Sequence, residues 1–124
     1  MKRKMLTISD AVTYHNFTLA FGQFLDDFRF ASVEEKQYLI RDEPKCEGVD
    51  REIFCHAAAA VHKLANDNRL DVPKWVYDPA YIMPEPYYAH GIQNIEFQRY
   101  LVETSPPEYA SRNIFFGDNV LARV

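Results

Sequence analysis

The chain has 124 residues, of which 48% are hydrophobic and 15% aromatic, so we expect one domain that buries about two thirds of its unfolded surface. This composition excludes a mainly disordered chain. The formal net charge of −4 leaves no basic half to hold a phosphate backbone, no apolar window is long enough to span a membrane, and two cysteines are too few for a disulfide framework. We expect a cytoplasmic protein with neither a nucleic-acid partner nor a membrane partner.

Residues 1–7 are predicted to be a flexible basic N-terminus. Lys2, Arg3 and Lys4 form the only basic run, and non-specific nucleic-acid binding needs more phosphate contacts than three terminal cations supply. The same stretch has no unbroken apolar run of the kind that a signal peptide contains. A solvated tail is the expected structure.

A long first helix is predicted over residues 8–30, with Thr7 and Asp10 as its start signal. Its apolar residues recur at helical spacing and form one stripe, which consists of Phe17, Phe21, Phe24, Leu25 and Phe28. Asp26 and Asp27 lie near its end, against the helix dipole, and we expect them on a solvated face. The phenylalanine stripe is the predicted core seam.

A second helix is predicted to begin with a capping box of Ser32 and Glu35 and to end before Pro44. Residues 41–50 are rich in charge and predict an exposed connection. The densest acidic stretch spans this region and comprises Glu34, Glu35, Asp42, Glu43, Glu47 and Asp50. It is interpreted as a solvated face, with a docking surface for a basic partner as the alternative.

A third helix is predicted over residues 50–66, with Asp50 as its cap. Four consecutive alanines, residues 57–60, make this helix thin. Because small side chains permit close packing, we expect it to lie against the phenylalanine stripe.

The second half of the chain changes in texture, since six of the seven prolines fall between Pro73 and Pro107. Residues 71–90 are therefore predicted to form an extended, turn-rich strap whose aromatic side chains pack on the helices. Asn94 is expected to begin a short helix. The predicted fold class is all-α: one small helical domain with a proline-rich aromatic strap and short C-terminal helices.

The C-terminal segment contains a further predicted capping box, Ser105 with Glu108, with proline at the first helical position. Residues 114–124 are rich in apolar side chains, namely Ile114, Phe115, Phe116, Val120, Leu121 and Val124, and burying each of them is worth about 1.5 to 3 kcal/mol. We therefore expect Phe115 and Phe116 to be buried in the domain, and Arg112 to remain at the surface.

Four side chains are the candidates for metal or thiol chemistry: Cys46, Cys55, His56 and His62. Their spacing matches no compact zinc motif, and the chain has neither a phosphate-binding glycine loop nor a serine-nucleophile motif. The sequence accordingly predicts no catalytic residue, metal or cofactor. The alternative left open is a small metal- or thiol-dependent enzyme built around Cys55, His56 and His62.

Partner contacts are predicted at five residues. Four are tyrosines or arginines, the types enriched in binding hot spots, and the fifth adjoins one of them; they are Tyr88, Arg99, Tyr109, Arg112 and Asn113. Arg112 and Asn113 are the preferred pair, because they directly precede the apolar residues 114–116 and are hard to assign to the core.

Several segments resemble a family of small uncharacterised bacterial domains. They are Phe24-Leu25-Asp26-Asp27-Phe28, Asp42-Glu43-Pro44, the alanine-rich helix, Val72-Pro73-Lys74-Trp75-Val76-Tyr77-Asp78-Pro79, Met83-Pro84-Glu85-Pro86-Tyr87-Tyr88, Ser105-Pro106-Pro107-Glu108-Tyr109-Ala110-Ser111-Arg112-Asn113-Ile114-Phe115-Phe116 and Asn119-Val120-Leu121-Ala122-Arg123-Val124. In that family a proline pair, an aromatic residue, an Arg-Asn step, an apolar triplet and a closing Leu-x-Arg recur. The resemblance covers residues 20–124.

Members of this family are often encoded beside nucleotidyltransferase-like toxins, and some carry a helix-turn-helix ahead of the domain. The present sequence has no room for that motif before residue 8, and Tyr109-Ala110-Ser111 replaces an expected Phe followed by basic residues. The resemblance therefore implies a non-enzymatic, antitoxin-like interaction domain whose partner is a protein such as a cognate toxin.

Overall fold

The computed structural model describes residues 4–121, and the predicted all-α class is confirmed. Within that range the helices are α1 (Ile8–Thr13), α2 (Phe17–Arg29), α3 (Val33–Arg41), α4 (Arg51–Asp67), α5 (Ile95–Thr104) and α6 (Pro107–Ala110). Two short strands, β1 (Tyr87–Tyr88) and β2 (Ile114–Phe115), pair in parallel. Single 3-10 turns occupy Lys74–Tyr77, Pro79–Tyr81 and Ala89–Gly91. None of the helices described has the length and hydropathy that a bilayer span requires.

The prediction of a single helix over residues 8–30 is wrong, because residues 14–16 are not helical and separate α1 from α2. Thr7 caps α1 by accepting the Asp10 N–H at 3.1 Å, and Asn16 caps α2 by accepting the Leu19 N–H at 3.1 Å. The side chain of Asn16 thus begins a new helix within the apolar pattern, and the helical spacing of the apolar residues after it is unchanged. The phenylalanine stripe consequently survives: its members from Phe21 to Phe28 are buried and Phe17 is half-buried.

Helix α4 lies at the centre of the core. Ala57–Ala60 are fully buried. Because their side chains are small, neighbouring segments can pack close to this helix, and the segments in contact with it include α1, α6 and the 3-10 turns of the strap. The phenylalanine stripe contacts α4 through His56, whose ring centroid lies 4.8 Å from that of Phe21.

Asp27 is not on a solvated face, which corrects the sequence-based expectation. Its carboxylate accepts the Leu6 N–H at 2.8 Å and an amide N–H of Gln23 at 2.9 Å, and the residue is buried. These bonds hold the segment before α1 against α2, and Met5 and Leu6 pack on the core. Lys2 and Arg3, two of the three residues of the basic run, lie outside the described residues.

The two predicted capping boxes have different outcomes. The box of Ser32 and Glu35 at the start of α3 is confirmed, with both reciprocal bonds present. The box at Ser105 is wrong, because its hydroxyl donates to the Leu101 carbonyl at 2.6 Å and accepts the Gly117 N–H at 2.9 Å. Ser105 therefore joins the end of α5 to the chain after β2, and Pro106 stands at the N-cap of α6.

The proline-rich strap is ordered by polar contacts with the helices. The Trp75 indole N–H donates to the Arg41 carbonyl at 3.2 Å, and the Tyr81 hydroxyl donates to Glu43 at 2.7 Å. The strap then enters β1, whose partner β2 carries the buried Ile114 and Phe115. The predicted burial of the C-terminal phenylalanines is confirmed, with Phe116 packed partly against the core, while residues 122–124 lie outside the described range.

The apolar interior is divided into a main core and a small satellite. The main core surrounds α4 and includes α1, α2 and the strap. The satellite consists of Ala89, Leu101 and Phe115 and lies beneath α5. Since Leu101 is the only buried residue of α5, this helix is held on the domain by few contacts: the Leu101 side chain in the satellite, the adjacent strand β2 and the bond from the Gly117 N–H to the Ser105 hydroxyl.

Candidate functional site

Arg112 is buried, with 4% of its surface exposed, so the expectation that it stays at the surface is wrong. Its guanidinium donates to the Val76 carbonyl at 2.8 Å and to the Glu108 carbonyl at 2.7 Å, and it lies 3.2 Å from Nδ1 of His62. A planar group with five donors can satisfy several chain segments at once. Arg112 thus joins the strap, α6 and α4. We call this cluster the Arg112 junction.

The other predicted contact residues divide into buried and exposed positions. Tyr109 is fully buried, and Tyr88 stacks on Phe115 with ring centroids 5.7 Å apart. Asn113 has a left-handed φ of 61° and donates its amide N–H to the Met83 carbonyl at 2.9 Å. Arg99 alone among the five is exposed, on the outer side of α5. Four of the five side chains are therefore involved in holding the fold.

Cys55, His56 and His62 lie on one helix but in three different environments. The Cys55 sulfur is buried 3.8 Å from the Ala80 carbonyl, and burial raises the pKa of its thiol to about 11. His62 faces Arg112 and the ring of Tyr77, at a centroid distance of 5.3 Å. In residues 4–121 no three His, Cys, Asp or Glu side chains are grouped so that they could hold a metal ion. With so high a pKa, the Cys55 thiol keeps its proton at neutral pH and is a poor nucleophile.

His56 is enclosed by aromatic rings. The centroids of four rings lie between 4.7 and 5.8 Å from that of the imidazole; they belong to Phe17, Phe21, Tyr109 and Phe116. The Nε2 atom is shielded from solvent and has no hydrogen-bond partner among the described residues. Burial lowers the pKa of His56 to about 4, so the imidazole is neutral at pH 7. Helical spacing places His56 on a flank of α4, and nothing in the sequence indicates these surroundings.

A second unpartnered polar group adjoins the first. The Tyr109 hydroxyl is buried without a partner in the part of the chain that the structure describes, and its ring lies 5.4 Å from the His56 ring in an edge-on arrangement. Burial raises the pKa of Tyr109 well above its ordinary value of 10, so the phenol keeps its proton. Buried polar atoms without partners are rare in folded proteins, and two on neighbouring rings mark this region as unusual.

The His56 ring also lines a cleft of about 470 Å³ between α2, α4 and the strap. Aromatic side chains form much of its wall, namely Phe17, Phe21, Tyr87 and Phe116. The polar side chains on it are Thr18, Glu52, His56, His90 and Asn119. Apolar walls with a few placed polar groups, at this volume, are typical of small-ligand sites. We call it the His56 cleft.

Helix α5 exposes most of its apolar side chains. The exposed fractions are 71% for Ile95, 46% for Phe97, 50% for Tyr100 and 44% for Val102. A surface helix normally turns its apolar stripe toward the core. In α5 four large apolar residues are exposed and only Leu101 is buried. We call the four exposed side chains, Ile95, Phe97, Tyr100 and Val102, the outer face of α5.

The predicted acidic surface is partly used within the fold. Glu35 caps α3, Asp42 pairs with Arg41 at 3.1 Å, and Glu43 accepts the Tyr81 hydroxyl. Glu34 and Glu47 are exposed. Half of this surface therefore has a local role.

Similarity to known proteins adds no further constraint on these sites. Comparisons with protein-family models, with curated proteins and with solved structures find no match to this chain.

Proposed function

We propose that this chain is a non-enzymatic protein-interaction domain that binds its partner through the outer face of α5. The observation that carries the proposal is the exposure of four large apolar side chains on one ten-residue helix that buries only Leu101. Clusters of exposed apolar residues mark interaction sites, because covering each such side chain with a partner removes apolar surface from water and makes the free energy of binding more favourable.

The arrangement of this face favours a grooved partner. At 100° per residue, Ile95 and Val102 lie along one edge of α5, while Phe97 and Tyr100 lie along the other. Between the two edges are the exposed carboxylates of Glu96 and Glu103, with the exposed Arg99 beside them on the edge that carries Ile95. A helix of this kind fits a groove with two apolar walls, and basic groups on the groove floor would complement the carboxylates.

The resemblance to a bacterial domain family supplies the kind of partner. It implies an antitoxin-like role, in which the protein bound is a toxin encoded beside this chain. Arg99, the exposed member of the predicted contact residues, lies on the same helix and would be part of such an interface. Arg and aromatic residues are common energetic centres of interfaces.

The test is binding of the protein encoded by the adjacent gene. The full chain and a Phe97→Ser/Tyr100→Ser variant are each co-expressed with it and analysed by size-exclusion chromatography and calorimetry. We expect a complex with the wild type and at least a tenfold loss of affinity in the variant. The matched control is Phe30→Ser, which removes a side chain with 81% exposure outside α5 and leaves affinity unchanged. Equal binding by both variants would contradict the proposal.

The alternative of a metal- or thiol-dependent enzyme is less favoured by the arrangement. Such chemistry needs Cys55 close to a histidine or several ligands converging on one point. Cys55 contacts the Ala80 carbonyl, whereas His56 and His62 face separate groups of rings. Stoichiometric zinc or iron in protein purified without chelator, lost in Cys55→Ala, would restore that alternative.

A further inference from the structure

We propose that the His56 cleft is a binding site for a small aromatic amine, held with its ring among the aromatic side chains and its ammonium group toward Glu52. No residue of α5 lines the cleft, so this site does not depend on the proposed partner surface.

The walls favour a flat ring. Phe17 and Phe21 contribute stacked rings from α2, with centroids 5.3 Å apart, and the centroid of the Phe116 ring lies 4.7 Å from that of the imidazole. Aromatic rings attract other rings in offset and edge-on arrangements, beyond the burial of their area. The same ring faces also attract an organic cation.

The charge of the cleft favours a cation. Glu52 carries the only carboxylate on the lining, and among the described residues no Lys or Arg lines it. The negative field reaches across the wall: after burial, the charges of Glu52 and Asp50 are what raise the pKa of the Tyr87 hydroxyl. An anionic ligand would meet this field without a compensating cation, so charge complementarity favours an amine.

The His56 imidazole forms part of the aromatic wall. Its ring lines the cleft beside the rings of Phe17, Phe21 and Phe116, while its Nε2 atom is shielded from solvent. A bound aromatic ring therefore contacts another ring at this position, and such contacts add to the gain from burying its area.

Tryptamine is the probe, because it combines an indole ring with an ammonium group. Its binding to the full chain is measured by calorimetry and by NMR shifts of the histidine side chains. We expect saturable binding with one site and a shift of the His56 signals. Indole-3-propionate has the same ring with a carboxylate, and we expect it to bind at least about tenfold more weakly.

Two variants place the probe in the cleft. Glu52→Gln removes the rim charge and is expected to lower tryptamine affinity about tenfold while reducing the preference over indole-3-propionate. His56→Leu removes one ring from the aromatic wall and is expected to lower affinity about threefold. Glu47→Gln, an exposed carboxylate in the loop before α4, is the control and leaves affinity unchanged.

The proposal is overturned by any of three results: no saturable binding of tryptamine, equal affinity for indole-3-propionate, or binding that neither variant weakens. If His56→Leu does not fold, Glu52→Gln still decides, since Glu52 is only half-buried and makes no hydrogen bond that the core requires. Failure here would leave binding through α5 untouched, because that test uses different residues and a protein partner.

Discussion

The two histidines of α4, His56 and His62, differ in their hydrogen-bond partners. His62 belongs to the Arg112 junction, where its Nδ1 lies 3.2 Å from the guanidinium. His56, less than two turns earlier, belongs to the cleft and has a buried nitrogen with no partner among the described residues. Buried polar groups are normally paired, so the junction follows the rule for a stable core and the cleft departs from it. The junction therefore stabilises the fold through paired polar groups, whereas the cleft contains a buried nitrogen that the described residues leave unpaired.

The largest expected effect is at the junction. Arg112→Ala leaves the Val76 and Glu108 carbonyls without their donor and removes a buried side chain, so we expect the free energy of unfolding to fall by about 3 kcal/mol. Denaturant titration measures it. The control is Arg99→Ala on the exposed side of α5, which should change the free energy by less than about 0.5 kcal/mol. Similar small values for both variants would mean that the junction is not structural.

The next largest effect is on pH dependence. The pKa of His56 is about 4 in the folded protein and 6.5 when exposed, so between these values the unfolded chain binds a proton that the folded chain does not. The stability present above pH 6.5 is therefore lost as pH falls toward 4, by about 3 kcal/mol from this residue.

His62 contributes in the same direction, because burial and the charge of Arg112 lower its pKa too. The measurement is therefore the difference between the wild type and His56→Leu, followed by chemical denaturation from pH 7 to pH 4. The variant should lose about 3 kcal/mol less over that range. Parallel curves would contradict a buried neutral His56.

At neutral pH the cleft should behave opposite to the junction. His56→Leu replaces an unpartnered polar ring by an apolar side chain of similar volume, and we expect the protein to gain about 1 kcal/mol in unfolding free energy. Thermal unfolding at pH 7 measures it. His15→Leu, at an exposed position, is the matched control and should stay within about 0.5 kcal/mol of the wild type. A destabilised His56→Leu would indicate that the imidazole is paired in solution.

The smallest effect concerns the two buried tyrosine hydroxyls. Tyr109→Phe removes a hydroxyl without a partner in the described structure, so its unfolding free energy should change by less than about 0.5 kcal/mol. Tyr81→Phe removes a hydroxyl that donates to Glu43 at 2.7 Å and should cost about 1 kcal/mol. Urea titrations of the pair, run side by side, decide; equal costs would show that Tyr109 has a partner.

Local features were predictable because they act over a few residues. The Ser32 and Glu35 box, the Asn94 cap and the phenylalanine stripe depend on neighbours within one or two helical turns, and each is found in the structure. The break at Asn16 was missed although its signal is present, since an apolar period continued across it and masked the cap.

The candidate sites were less predictable. The sequence places Arg112 at the surface because it directly precedes the apolar residues 114–116 and is hard to assign to the core. Only the meeting of α6, α4 and the strap supplies the acceptors that permit its burial. For His56, the rings that isolate it come from positions 17, 21, 109 and 116. No spacing rule joins positions so far apart in the chain.

The sequence by itself determined the fold class, most helix boundaries, the ordered strap and the burial of the C-terminal phenylalanines, because periodicity, capping and proline restrict the backbone locally. The tertiary structure decided which polar groups are paired and which are not. Hydrogen bonds such as that from Arg112 to Val76, and the enclosure of His56, join segments more than 30 residues apart, and they exist only after the core has brought those segments together.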